Sequence, residues 1–93
     1  MKSYASVEEI EKKFAVCELE LIPLEESKTI DYLDKETVMV DIPTEMIIAV
    51  ISCVAEGDII VVNHEDGKVQ SVCCRDDAEK QRRIDLIKQI LKP

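Results

Sequence analysis

Ile59-Ile60-Val61-Val62 is a run of four β-branched residues, and Asp66-Gly67 follows a few positions later. The branched side chains hold χ1 stiff, which suits a pleated strand and disfavours a helix. Asp-Gly accepts the positive φ of a tight turn whose twist matches antiparallel strands. Together these features predict a β-hairpin from Asp58 to Cys74 as the centre of the fold. Its first arm is apolar on both parities and is expected to be buried on both faces, with Val61 in the core. In the return arm Val69, Ser71 and Cys73 alternate with Gln70, Val72 and Cys74, so neither face is wholly polar. Gly57, between Glu56 and Asp58, marks the turn that feeds the hairpin.

The flanking segments supply further elements. Residues 3–10, with Tyr4, Val7 and Ile10 among acids, read as a first strand, one helical turn being the alternative. In Phe14–Ile22 the residues Ala15, Cys17, Leu19 and Leu21 share one face opposite Glu18 and Glu20, an alternation that fixes strand register before Pro23 ends the strand. Leu24–Glu36 is predominantly charged and reads as a long solvated connection. Thr37–Ile42 is a strand with Val38, Val40 and Ile42 facing in and Asp41 out, closed by Pro43. Thr44 is placed to N-cap one or two helical turns carrying Met46, Ile47, Val50 and Ile51, followed by an extended approach to Gly57. A C-terminal helix is expected over about 76–91, opened by Asp76 with Glu79 three residues on. Its apolar stripe of Ile84, Ile87, Ile90 and Leu91 predicts that the C-terminal half packs while the charged first turns project. Glu79 and Arg83 stand four apart in the favourable order.

A chain of 93 residues is expected to form one domain, with one modest core. No Trp, one Phe and two Tyr make that core aliphatic and leave few stacking platforms for single-stranded nucleic acid. Twenty acids against twelve bases give a net charge of −8, which disfavours nucleic acid and anionic membrane surfaces as partners. The N-terminal residues lack the apolar run of a secretory signal, and the longest apolar stretch, around Met46–Ala55, is too short to span a bilayer. A cytoplasmic protein is the expectation.

Chemistry-bearing motifs are sparse. With only Gly57 and Gly67, a glycine-rich phosphate loop cannot be built. The single histidine, His64, is expected as a solvated residue near the hairpin tip, and no Ser-His-Asp constellation emerges around it. No enzymatic activity, catalytic residue, cofactor or metal is therefore assigned. The four cysteines, 17, 53, 73 and 74, show no Cys-x-x-Cys spacing and read as free thiols acting as small hydrophobes. The sharper alternatives are a thiol-lined metal or small-molecule site joining Cys17, Cys53, Cys73, Cys74 and His64, and a vicinal Cys73–Cys74 redox pair. Adjacent strand residues point to opposite faces, which argues against Cys73 and Cys74 holding one ion.

Phe14-Ala15-Val16-Cys17-Glu18-Leu19-Glu20, Val40-Asp41-Ile42-Pro43-Thr44-Glu45-Met46-Ile47 and Ala55-Glu56-Gly57-Asp58-Ile59-Ile60, followed by a charged amphipathic helix, occur in an order that resembles a family of small bacterial domains of unknown function, number 3006 in that naming scheme. The chain departs from the family at two places: Val7-Glu8-Glu9-Ile10-Glu11 stands where the family has an Asp-Arg-aromatic-Glu-Gly segment, and Ile48–Val54 replaces a short glycine-containing linker. The resemblance covers most of the chain and rests on strand cores and turns. It implies a mainly β fold with a C-terminal α-helix: a small, strongly bent antiparallel β-barrel, SH3- or OB-like, of about five strands spanning about 3–74. It implies no known activity and carries no catalytic residues.

The function class favoured by these readings is a non-catalytic protein-interaction module whose partner is another protein or a second copy. Met46–Ala55 and the C-terminal helix hold more apolar surface than so small a core absorbs. Ile48, Ile51, Ile87 and Ile90 are the candidate contact residues. The tail helix lying over the open end of the barrel is the competing way to cover that surface.

Overall fold

A computed structural model describes residues 1–29 and 35–91. Its elements in chain order are β1 (Lys2–Ile10), β2 (Phe14–Glu20), α1 (Leu24–Ser27), β3 (Thr37–Pro43), α2 (Thr44–Ile48), β4 (Ile59–Glu65), β5 (Lys68–Arg75) and α3 (Asp77–Leu91). The five strands form one antiparallel sheet in the order β3-β2-β1-β4-β5. The hairpin arms β4 and β5 turn at Asp66 (φ 51°) and Gly67 (φ 84°), two successive left-handed residues that the Asp-Gly pair supplies. Residues 3–10 are a strand, paired on both sides by β2 and β4.

Three irregularities bend the sheet. The β1–β2 register slips at Glu8, and β5 carries extra residues at Gln70 and Cys73 opposite β4. Each such bulge kinks its strand and increases its twist. The sheet curls into a half-barrel whose two edge strands approach at one end, where a Cβ at Gly67 would lie 3.7 Å from Val38 and 3.9 Å from Leu21.

The concave side holds the main core: Ala5 and Val7 of β1, Ala15, Cys17 and Leu19 of β2, Ile42 of β3, and Ile60, Val62 and Val72 of the hairpin. Ile47 of α2 and Ile51 just after it complete this core. α2, rather than the tail helix, therefore lids the concavity. Tyr4, Ile59 and Val61 form a second, smaller cluster with Leu24 and Cys73. These residues have the opposite strand parity from the main core, which explains why Ile59–Val62 is buried along its whole length. α3 starts beside this convex cluster, where its Arg83 guanidinium lies 5.1 Å from the Tyr4 ring centroid.

Several local expectations are corrected. Val38 has the inward parity, pairing with Leu19, but is exposed because it sits on an edge strand past the cover of α2. Pro43 precedes the first helical residue of α2, so Thr44 is not a cap; its backbone N–H donates to Lys13 O, and its hydroxyl is buried without a partner. Leu24–Glu36 is not wholly solvated: Ser27 is buried and Lys35 is half-buried. The apolar residues Ile30, Tyr32 and Leu33 of that connection lie outside the described residues. Among the described residues no helix is long and apolar enough to cross a membrane.

Candidate interaction surface

The convex face of β1 and β2 presents Tyr4 and Glu20, and the first turns of α3 present Glu79, Arg82 and Arg83 to it. Glu20 and Glu79 are 5% and 4% exposed, an arrangement that demands compensation because a lone buried carboxylate is strongly destabilising. Arg83 supplies it by bridging them. Its Nε donates to Glu79 Oε2 at 2.7 Å, its Nη1 lies 2.8 Å from Glu20 Oε2, and its Nη2 donates to Ser27 at 3.4 Å. Arg82 grips the same Glu79 in bidentate fashion at 2.8 and 2.7 Å. Ser27 donates to Glu20, and Lys35 Nζ donates to Ser27 at 3.0 Å and lies 3.7 Å from Glu20.

A second set of bonds fixes the start of α3. The Tyr4 hydroxyl donates to Asp76 Oδ2 at 3.0 Å, and Asp76 Oδ1 accepts the Glu79 backbone N–H at 2.9 Å, capping the helix. Glu79 does not reach back to complete a capping box, since both its oxygens are held by arginines. Lys80 reaches Asp58 at 2.8 Å and ties the helix to the entry of β4.

The ionisation states follow from these contacts. Burial pushes the Glu79 carboxyl up, but the hydrogen bonds from Arg82 and Arg83 outweigh it and hold it below its ordinary value. Asp58 is treated likewise: burial raises it, and the Lys80 and Ala55 hydrogen bonds bring it lower. Lys35 is lowered by burial and by the neighbouring Arg83, against the pull of Glu20. Burial and the Asp76 hydrogen bond raise Tyr4 far above the usual phenol range, so it stays a neutral donor. Each of these groups is matched to partners within the protein. The cluster is a clamp.

Beyond the clamp α3 leaves the sheet. Ile84 is half-buried, but Leu86, Ile87, Ile90 and Leu91 are 37, 41, 70 and 76% exposed. The expected disposition is therefore reversed: the charged first turns pack and the apolar half projects. The reason is the polar convex face, where Glu20 and Ser6 call for cations and hydrogen bonds rather than isoleucines. Where helix and sheet diverge, a 260 Å³ crevice opens, with Val7, Ile59, Ile84 and Ile87 among its lining. Of the four candidate contact residues, Ile87 and Ile90 thus lie on this projecting segment. Ile48 is 57% exposed but sits on α2, across the sheet, and Ile51 is 6% exposed within the main core and unavailable to a partner.

The alternative cysteine–histidine set is not brought together. Cys17 is in the main core, where burial pushes its thiol up to about 11, while Cys73 packs against the convex cluster and Cys53 and Cys74 are exposed. The bulge at Cys73 breaks the strict alternation that was expected to separate it from Cys74. All four thiols are free, and among the described residues no three His, Cys, Asp or Glu side chains converge as metal ligands would.

His64 is buried at 1% exposure, not solvated. Its Nδ1 accepts the Gly67 N–H at 3.3 Å, which places the ring proton on Nε2, directed at Ser3 Oγ 2.8 Å away. Ser3 donates its own hydrogen to Ile22 O at 2.6 Å. The pair is thus wired as donor to acceptor in the sense opposite to a base activating a nucleophile. Its burial was readable from parity, since His64 shares a face with Ile60 and Val62. The Glu20–Arg83 pairing, in contrast, joins residues far apart in sequence, and no local pattern announces it.

No protein-family model, curated protein or solved structure matches the chain.

Proposed function

We propose that the protein is a non-catalytic interaction module that presents the projecting half of α3 to a protein partner. The observation that carries this is the overshoot of the helix: its root is clamped by buried ion pairs, and its last two turns hold four exposed aliphatic side chains. Single exposed apolar residues are ordinary, but a contiguous group on one rigid helix is the usual form of a groove-binding or helix-pairing surface. The saturated carboxylates and the inverted Ser3–His64 bond support a binding rather than a catalytic role. Four free thiols fit a reducing, cytoplasmic compartment. The resemblance to bent-barrel domains without known activity agrees with the same proposal.

The test combines stability and contact. Ile90→Glu should melt within ~2 °C of the parent, because a surface substitution away from packed features changes stability by only about 0.5 kcal/mol. A photoreactive residue at Ile90 should form a protein adduct in cells of the source organism, and one at Asp85, on the other side of the helix, should not. A melting temperature lowered by ~8 °C or more would place Ile90 in the protein's own core, and absence of any adduct would remove the binding role.

A further inference from the structure

The stripe that anchors α3 continues past the sheet. At 3.6 residues per turn, Lys80, Arg83, Ile84, Ile87, Ile90 and Leu91 share one side of the helix. The first four line the crevice against β1 and the start of β4, and the last two extend the same side beyond it. We propose that a second copy of this chain covers that extension, through an antiparallel, two-fold symmetric pairing of two α3 tips centred on Ile87. It rests on the tip being a binding surface and commits that surface to one partner.

The spacing of the stripe is self-complementary. Ile84 and Ile90 stand three residues to either side of Ile87, so a two-fold axis through Ile87 sets each Ile84 beside the Ile90 of the other copy. This is the reciprocal contact an isologous interface requires. The same alignment brings Leu91 of one copy beside Arg83 and Ile84 of the other, at the mouth of the 260 Å³ crevice, which Ser6, Glu8 and Ile59 line on the sheet side.

Charge favours the same partner and orientation. Ile84–Leu91 contains one acid, Asp85, and one base, Lys88, and is neutral, although the chain carries −8. Antiparallel tips bring neutral segments together and hold the two acidic sheets at opposite ends of the pair. Face-to-face association of the sheets would oppose like charges instead.

Area sets the strength. With roughly 200 Å² per fully exposed Leu or Ile residue, the exposed fractions of Ile87, Ile90 and Leu91 come to ~370 Å² per copy and ~750 Å² per pair, below the ~1,200–2,000 Å² of a standard stable interface. The dimer is accordingly weak and concentration-dependent.

Sedimentation equilibrium of the full chain over roughly 1 to 200 µM tests it. The mass should rise from 10.6 kDa towards twice that value. The Ile90→Glu/Leu91→Glu double variant should stay monomeric across the range while melting with the parent. Ile87→Cys, in a Cys53→Ser/Cys74→Ser background, should oxidise to a covalent dimer, whereas Asp85→Cys in that background should not. A parent that remains monomeric while the double variant melts unchanged overturns the second copy and leaves the tip for a different protein. A dimer that survives the double substitution overturns the α3 contact. A double variant that melts far below the parent shows the tip packed in its own chain, and the binding surface itself is then lost.

Discussion

Arg83 is the residue on which the placement of α3 depends. It bridges Glu20 and Glu79, two carboxylates that are otherwise buried side by side, and stacks above Tyr4. Such a cluster adds little net stability compared with an apolar packing, but removing Arg83 is severe, because the buried Glu20 then keeps only Ser27 and the more distant Lys35, while Glu79 retains Arg82. Arg83→Met should therefore cost ~3–5 kcal/mol in urea unfolding at neutral pH. A loss under ~1 kcal/mol would show that Glu20 and Glu79 find water or other cations instead. The pH dependence has a definite sign. Glu79 and Asp58 are held below their ordinary values in the folded protein, so their contribution is complete above the unfolded carboxylate range and is lost as pH falls through the folded pKa values. The gap between Arg83→Met and the parent should accordingly narrow in acid, since a protonated Glu79 no longer needs the guanidinium. A gap that stays constant to pH 3 would contradict the electrostatic cause. The Glu79–Arg83 spacing was legible in the sequence as an ordinary surface pair. Its burial was not, because that depends on Glu20 arriving from a strand more than fifty residues away.

At the scale of elements, α2 and α3 exchange the roles that their composition suggests. The short α2 is rich in β-branched residues and poor in intrinsic helix propensity, yet it lids the main core with Ile47 and Ile51. The longer α3, with the more regular apolar stripe, has only its charged root against the sheet. Hydrophobic periodicity identified α2 and α3, but not the short α1 in the charged connection, and it reports which residues share a side and not what lies beneath that side. The strands were more legible: alternation in β2, the β-branched run in β4 and the Asp-Gly turn each fix a local geometry that tertiary packing does not override. The curl was less so, since the bulges at Glu8, Gln70 and Cys73 leave no signature in residue type. The assignment of α2 is checked by contrasting neighbours. Ile51→Ala should cost ~2–4 kcal/mol as a core truncation, and Ile48→Ala should stay within ~0.5 kcal/mol. Equal effects at the two positions would mean that α2 is not seated by Ile47 and Ile51.

The whole molecule is an acidic half-barrel with a helix leaving one face, and this shape separates fold from function. Both sides of β4 are occupied, by the main core and by the convex cluster, so the sheet is self-sufficient without the last two turns of α3. The net charge of −8 predicts no salt-sensitive submicromolar complex with random duplex DNA or RNA in a mobility-shift assay, and such a complex would overturn the proposal of a protein partner. The central claim, a helix clamped at its root and free at its tip until a partner covers it, is tested most directly by amide hydrogen exchange along α3 at two protein concentrations. Amides of residues 81–84 should exchange only with global unfolding at both. Those of residues 86–91 should exchange far faster in dilute protein, on the order of 1 µM, and become protected at a few hundred micromolar as copies associate. Uniform, concentration-independent protection from root to tip would show that the apolar half is already packed within its own chain and would contradict the account.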